Sequence, residues 1–156
     1  MTRYFANHRE KSKRINQIGE LIHGDLGVEV LVEFSHASKL SDLDLRDSNL
    51  TDKSAIAIAN SESFKGLFSL NLSGNRITDI GAKALAGSKN FGQLKILNLN
   101  FNVIGDLGAR AIAKSIHLTN LKSLKLGQNR VGEIGAKALK SSDTLVNLTH
   151  PVFGFY

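Results

Sequence analysis

Residues 94–120 read LKILNLNFNVIGDLGARAIAKSIHLTN. Moved 27 positions toward the N-terminus, the same frame falls on LFSLNLSGNRITDIGAKALAGSKNFGQ at 67–93. Moved 27 positions the other way, it falls on LKSLKLGQNRVGEIGAKALKSSDTLVN at 121–147. Neither shift needs a gap. A fixed period of this size marks a chain of stacked units, each too small to bury its own apolar face alone. The units open at Leu40, Leu67, Leu94, Leu121 and Leu148.

Within each unit the second and third Leu follow at fixed offsets: Leu43 and Leu45, Leu70 and Leu72, Leu97 and Leu99, Leu124 and Leu126. Alternation around each pair predicts a short strand with one buried face, and like strands side by side predict a parallel sheet. Ser48, Asn75, Asn102 and Asn129 then turn the chain out of the strand, and their side chains can bond neighbouring backbone as a ladder, with Ser48 the weak rung. Leu50, Ile77, Ile104 and Val131 return to the core. Asp25, Asp52, Asp79, Asp106 and Glu133 share the register position that precedes the G-A-x-A-[LI] run in the later units. An acid there is expected to cap the free N–H groups of its helix and oppose the macrodipole. That reading is preferred to a metal site because the five acids stand one unit apart.

Gly81, Gly108 and Gly135, each followed by Ala, let the helix pack close to its neighbours. Ile58, Leu85, Ile112 and Leu139 are expected to point inward, and Phe64, Phe91, Leu118 and Leu145 to close the core. Ser61, Ser88, Ser115 and Ser142 form another column and read as backbone-bonding residues rather than nucleophiles.

The L-x-x-L-x-L-x-x-N pattern resembles the leucine-rich repeat. The G-A-x-A-[LI] run is similar to the helical side of its ribonuclease-inhibitor-like class. The resemblance implies a right-handed α/β solenoid, a horseshoe with a parallel sheet on its concave face and helices on its convex face. It also implies a non-catalytic module that binds a protein on the concave face, with no cofactor. Relatives of that kind serve as inhibitors, innate immune receptors, activators of small GTPases and effectors of intracellular bacteria.

The expected organisation is a basic tail or the start of a cap at 1–14, a degenerate capping repeat at 15–39, four repeats at 40–66, 67–93, 94–120 and 121–147, and a partial repeat or cap at 148–156. Asp25, Gly27 and Leu31 lie in register with Asp79, Gly81 and Leu85, which favours a helix there. Alternating Val28, Val30, Val32 and Phe34 argue instead for a strand. Ile15, Ile18 and Ile22 stand at helical spacing and predict a helix over roughly 10–22. Pro151 suits an edge strand, and VFGFY is expected to cover the open end of the core.

Of 156 residues, 42% are apolar, as in an ordinary globular domain, and none is Cys, which fits a cytoplasmic setting in the chain's own cell or, for a secreted effector, in a host cell. No apolar run reaches the ~18 residues of a membrane span, and the N-terminus lacks a signal-peptide core. The net charge of +6 is uneven: +4 over 1–14, −5 over 15–66 and +7 over 67–156. This field can steer a partner of matching polarity.

The concave face follows from strand alternation. It takes Asp42, Asp44, Arg46 and Asp47 from the first repeat, and Ser69, Asn71, Ser73 and Gly74 from the second. The third gives Ile96, Asn98, Asn100 and Phe101, and the fourth Ser123, Lys125, Gly127 and Gln128. Ile96 and Phe101 are its large apolar members, and Phe101 either anchors a partner or folds over the turn. An acidic edge beside an apolar and amide centre calls for a protein partner with a basic patch next to a small hydrophobic pocket, bound by a monomer. Two other readings stand beside this one. The basic rear half and tail could bind an anion, either nucleic acid or acidic membrane. Lys83, Arg110 and Lys137 form a basic column, but no aromatics interleave with it, so a solvated helix face is preferred to nucleic-acid binding. Arg46 could serve a GTPase as an accessory arginine. The five His occupy unrelated repeat positions and complete no catalytic motif.

Overall fold

The computed structural model describes residues 23–33 and 39–152. The expected basic tail, the helix over 10–22, Phe34 and the last four residues of the C-terminal tail lie outside them. Strands and helices alternate along the rest. In order they are α1 (Gly24–Glu33), β1 (Asp42–Asp44), α2 (Asp52–Asn60), β2 (Ser69–Asn71), α3 (Asp79–Ala86), β3 (Ile96–Asn98), α4 (Asp106–Ala113), β4 (Ser123–Lys125), α5 (Glu133–Lys140) and β5 (His150–Val152). One-turn 3-10 segments at Glu62–Phe64 and Lys89–Phe91 lead into β2 and β3. Residues 28–33 are thus helical, as the register favours, with Val28 and Leu31 on the buried side.

The five strands form one parallel sheet in chain order. Leu43 pairs with Leu70, Leu70 with Leu97, Leu97 with Leu124, and Leu124 with Pro151. Each of the four Leu lies inside the sheet while its two flanking residues face outward. Pro151 falls on an edge strand, where its missing N–H costs no internal ladder bond.

The core runs between sheet and helices as one cluster. Leu45, Leu50, Leu67, Leu72, Leu85 and Leu94 are among its fully buried members, with Phe64 and Phe91 the largest. Each such Leu contributes roughly 1.5–3 kcal/mol of apolar burial. Ile58, Ile112, Leu118, Leu139 and Leu145 point inward as expected, whereas Val131, Leu40 and Leu148 are partly buried.

Two polar ladders connect the repeats. The Asn75 amide reaches back: its Oδ1 accepts from Ser48 N (3.2 Å) and Leu50 N (3.0 Å), and its Nδ2 donates to Leu45 O (2.9 Å) and Leu72 O (3.0 Å). Asn102 repeats this with Ile77 N, Leu72 O and Leu99 O, and Asn129 with Ile104 N, Leu99 O and Leu126 O. Ser48 has only a hydroxyl and donates to Arg46 O in its own repeat, which makes it the weak rung.

The acid column corrects the sequence reading. Each of the four Asp carboxylates caps the following helix, not its own, whereas Glu133 makes no such bond among the described residues. Asp52 accepts from Thr78 N (2.8 Å), Thr78 Oγ1 (2.6 Å) and Gly81 N (2.8 Å). Asp79 accepts from Gly105 N (2.7 Å) and Gly108 N (2.8 Å), and Asp106 from Gly132 N (2.7 Å) and Gly135 N (2.9 Å). The reason is proximity, because the next helix presents its unbonded N–H groups to the acid. Gly at this position has a definite purpose. A Cβ on Gly108 would lie 2.7 Å from Asp79 Oδ1 and 2.7 Å from Ile104 Cγ2. In the first repeat Ser54 replaces Gly and donates its own hydroxyl to Asp25 (2.6 Å). Burial pushes the Asp25 carboxyl up, but bonds from Ser54 and Thr51 outweigh it and hold it below its usual value.

Three of the four serines in the Ser column bond backbone as expected, and Ser61 makes no side-chain cap bond. The hydroxyls of Ser88, Ser115 and Ser142 donate to Ala59 O, Ala86 O and Ala113 O of the preceding helices.

Candidate binding face of the sheet

The outward side chains of β1–β4 form rows because the strands stack in register. Asp42, Ser69, Ile96 and Ser123 make one row, and Asp44, Asn71, Asn98 and Lys125 the next. Arg46, Ser73, Asn100 and Gly127 follow two residues on, and then Asp47, Gly74, Phe101 and Gln128 where the chain turns away. The residues expected to share a face therefore do come together.

That last row has an unusual backbone. Asp47 (φ 52°), Gly74 (φ 69°), Phe101 (φ 55°) and Gln128 (φ 56°) all occupy the left-handed region. Gly is suited to it, while a bulky residue there is held at a cost on the order of 1–3 kcal/mol. Sheet-like bonds hold the row: Asp47 N donates to Ser73 O (2.9 Å), Gly74 N to Asn100 O (3.0 Å) and Phe101 N to Gly127 O (2.9 Å). Phe101 does not fold down over the turn but leaves 61% of its surface in solvent. Ile96 is 44% exposed two strand positions before Asn98.

Several polar groups are already engaged. Asn71 Oδ1 accepts from Ser73 N (3.1 Å) and Ser73 Oγ (2.8 Å), and Asn98 Oδ1 from Asn100 N (3.1 Å). Asn100 Oδ1 accepts from Gly127 N across the repeat (2.8 Å). Arg46 forks onto Asp44 through Nε (3.0 Å to each oxygen) and also through Nη2. Partial burial pushes the Asp44 carboxyl up, but the Arg46 hydrogen bonds and charge hold it below its usual value. The acidic edge expected from Asp42 and Asp44 is therefore narrower: Asp44 is matched by Arg46, and net negative charge rests on Asp42 and Asp47. The same pairing occupies the guanidinium considered above as a free arginine.

Two features escape the sequence reading. Lys95 Nζ lies 4.7 Å from the centroid of the half-exposed Phe68 ring, beside the strand starts. On the helical side, Leu26, Ile80, Leu107 and Ile134 follow directly after the acids and are all exposed. Their periodicity is as strict as that of the core, and a period alone does not separate an inward column from an outward one.

What this face offers is surface: amides, a neutralised ion pair and exposed apolar groups on a sheet fixed by backbone bonds. Among the described residues, no helix is long and apolar enough to cross a membrane. No curated protein matches the sequence. The family model for the Leucine Rich repeat matches residues 36–59, 67–86, 94–113 and 117–140, more than half of the sequence, so the chain belongs to the leucine-rich-repeat family.

Proposed function

We propose that the chain is a non-catalytic protein-binding module, of the ribonuclease-inhibitor-like kind, that docks a partner on its sheet face across the first three repeats. Leucine-rich repeats generally mediate protein–protein interaction. The observation that carries the docking site is Phe101, 61% exposed and held in a left-handed backbone conformation by a neighbouring strand. An exposed aromatic beside amides is the usual composition of an interface anchor. Asn98, Asn100 and Ile96 supply the ring around it, and Asp42 and Asp47 supply the charged rim. The partner fits if it carries a small hydrophobic pocket with a basic patch at its edge.

The test is a pull-down with mass spectrometry, using wild type against Phe101→Ala, followed by kinetics on the captured protein. Phe101→Ala is expected to raise the off-rate and cost ~1–3 kcal/mol. Asp42→Lys is expected to slow association, more at low salt than at high. Lys83→Glu, on the helical side, leaves this binding unchanged. Loss of binding in Lys83→Glu with no effect of Phe101→Ala would move the protein site off the sheet.

A further inference from the structure

The helical side carries a second surface of different composition. Ile80, Leu107 and Ile134 occupy the second position of three consecutive helices and are 63%, 68% and 64% exposed. One turn further along each helix stands an exposed cation, Lys83, Arg110 or Lys137. Residues three apart on a helix share a face, so every repeat from the second to the fourth presents one aliphatic tip beside one positive charge. Stacked helices stand on the order of 10 Å apart, which sets the tips out as a row and the charges as a parallel row.

The charges are available. Lys83, Arg110 and Lys137 have no ion-pair partner among the described residues. The acids nearest in sequence to the tips, Asp79 and Asp106, are turned onto the next helix start, which leaves Glu133 as the exposed acid. The pattern ends at the first repeat, where Lys53 and Ile56 exchange the two roles, and α1 sets Leu26 beside Glu29. The paired rows therefore cover the part of the chain whose net charge is +7 and stop where it turns acidic.

We propose that these rows form a peripheral docking surface for an anionic lipid bilayer, with the aliphatic tips entering the acyl boundary and the cations held at the headgroups. A lysine-rich face with leucine and isoleucine tips has the composition of an interfacial membrane contact. Protein interfaces are depleted in Lys, and Leu is under-represented among their anchors. The tips also stand apart on separate helices, a geometry that a fluid surface accepts without a complementary shape. This surface is independent of the sheet face, so the two can be occupied together.

The chain contains no Trp, so Leu107→Trp gives a single reporter. With equimolar phosphatidylcholine and phosphatidylserine vesicles, its emission is expected to shift to the blue and to be quenched by brominated acyl chains. Pure phosphatidylcholine leaves it unchanged. In co-sedimentation of the otherwise native chain, Ile80→Ser with Leu107→Ser and Ile134→Ser weakens binding about tenfold or more. Lys83→Glu with Arg110→Glu and Lys137→Glu weakens it about a hundredfold or more. These side chains are exposed, so both triple variants are expected to unfold at the wild-type temperature. The proposal is overturned if anionic vesicles bind no better than neutral ones, or if both triple variants bind as wild type does, which would assign binding to the basic residues of 1–14. It is equally overturned if polyglutamate shifts the Trp emission as the vesicles do, which would make the occupant an acidic polypeptide.

Discussion

The two polar ladders run in opposite directions. Asn75, Asn102 and Asn129 reach back to the repeat before, where they satisfy backbone left open between strand and helix. Asp52, Asp79 and Asp106 reach forward to the helix after. Every junction between the central repeats is thus held from both sides, once beside the strands and once at the helix starts. The ladders also differ in setting. Asn75 and Asn102 are buried, and their amides satisfy donors and acceptors at once, whereas the acids lie half-buried and only accept. An amide can occupy a dry site that a carboxylate cannot without losing hydration.

The largest expected effect breaks the buried ladder. Asn102→Leu leaves the buried Ile77 N–H without its partner, at ~1–3 kcal/mol, and takes one of two amide donors from Leu72 O and from Leu99 O, which keep Asn75 and Asn129. Denaturant unfolding is expected to show a loss of roughly 2–4 kcal/mol, within reach of the ~2–5 kcal/mol of a core truncation such as Leu97→Ala. A loss like that of a surface substitution would mean water replaces the amide.

Breaking the forward ladder is expected to cost less, about 1–2 kcal/mol for Asp79→Ala, in the range of a lost helix cap. Asp52→Ala is expected to cost less again. Its target helix keeps a second cap in Thr78, whose Oγ1 accepts from Ile80 N, while Gly105 has no side chain to do the same for the helix after Asp79. Equal losses would deny any contribution from the threonine.

Gly108→Ala tests the close approach itself. It is expected to destabilise by ~1–3 kcal/mol through overpacking, and to couple with Asp79→Ala so that the double variant loses less than the sum of the two. Strict additivity would mean that the clash lies with Ile104 and Ala82 rather than with the carboxylate.

The pH response is smaller. Asp25 has its folded pKa held below 3.8, so its contribution is fully present above that pH and is lost as pH falls through the depressed folded value. Asp25→Asn is expected to flatten the acid side of the stability curve, with the remaining slope belonging to other carboxylates. Smallest of all, Ser48→Ala is expected to change stability by less than ~1 kcal/mol, since its hydroxyl spans no repeat junction.

Core, sheet register and amide ladder were legible in the sequence because each is a column that repeats without a gap, and stacking turns a column into a contact. The direction of the acids was not. Asp79 stands at the start of one helix and one repeat from the next, and sequence position does not say which set of N–H groups its carboxylate meets. On the candidate face, the membership of each row was legible from alternation. The Asp44–Arg46 pair is legible in principle, since residues two apart share a strand face, but alternation alone gives two charges on one face and not the bond between them. Of the left-handed row, Gly74 alone is of the residue type that gives such a backbone away.

The left-handed row has a consequence for variation. Its geometry is imposed by main-chain bonds from Asp47, Gly74 and Phe101 to the neighbouring strand, so the side chain there is a passenger on a conformation it does not create. Asp, Gly, Phe and Gln all occur at this one position within a single chain. Exchanging Asp47, Phe101 or Gln128 rewrites what the molecule displays at the lip of its sheet, whereas a Cβ added at Gly74 would lie 1.8 Å from Asp47 Oδ1. A selected library at 47, 101 and 128 is accordingly the natural place to retarget this scaffold.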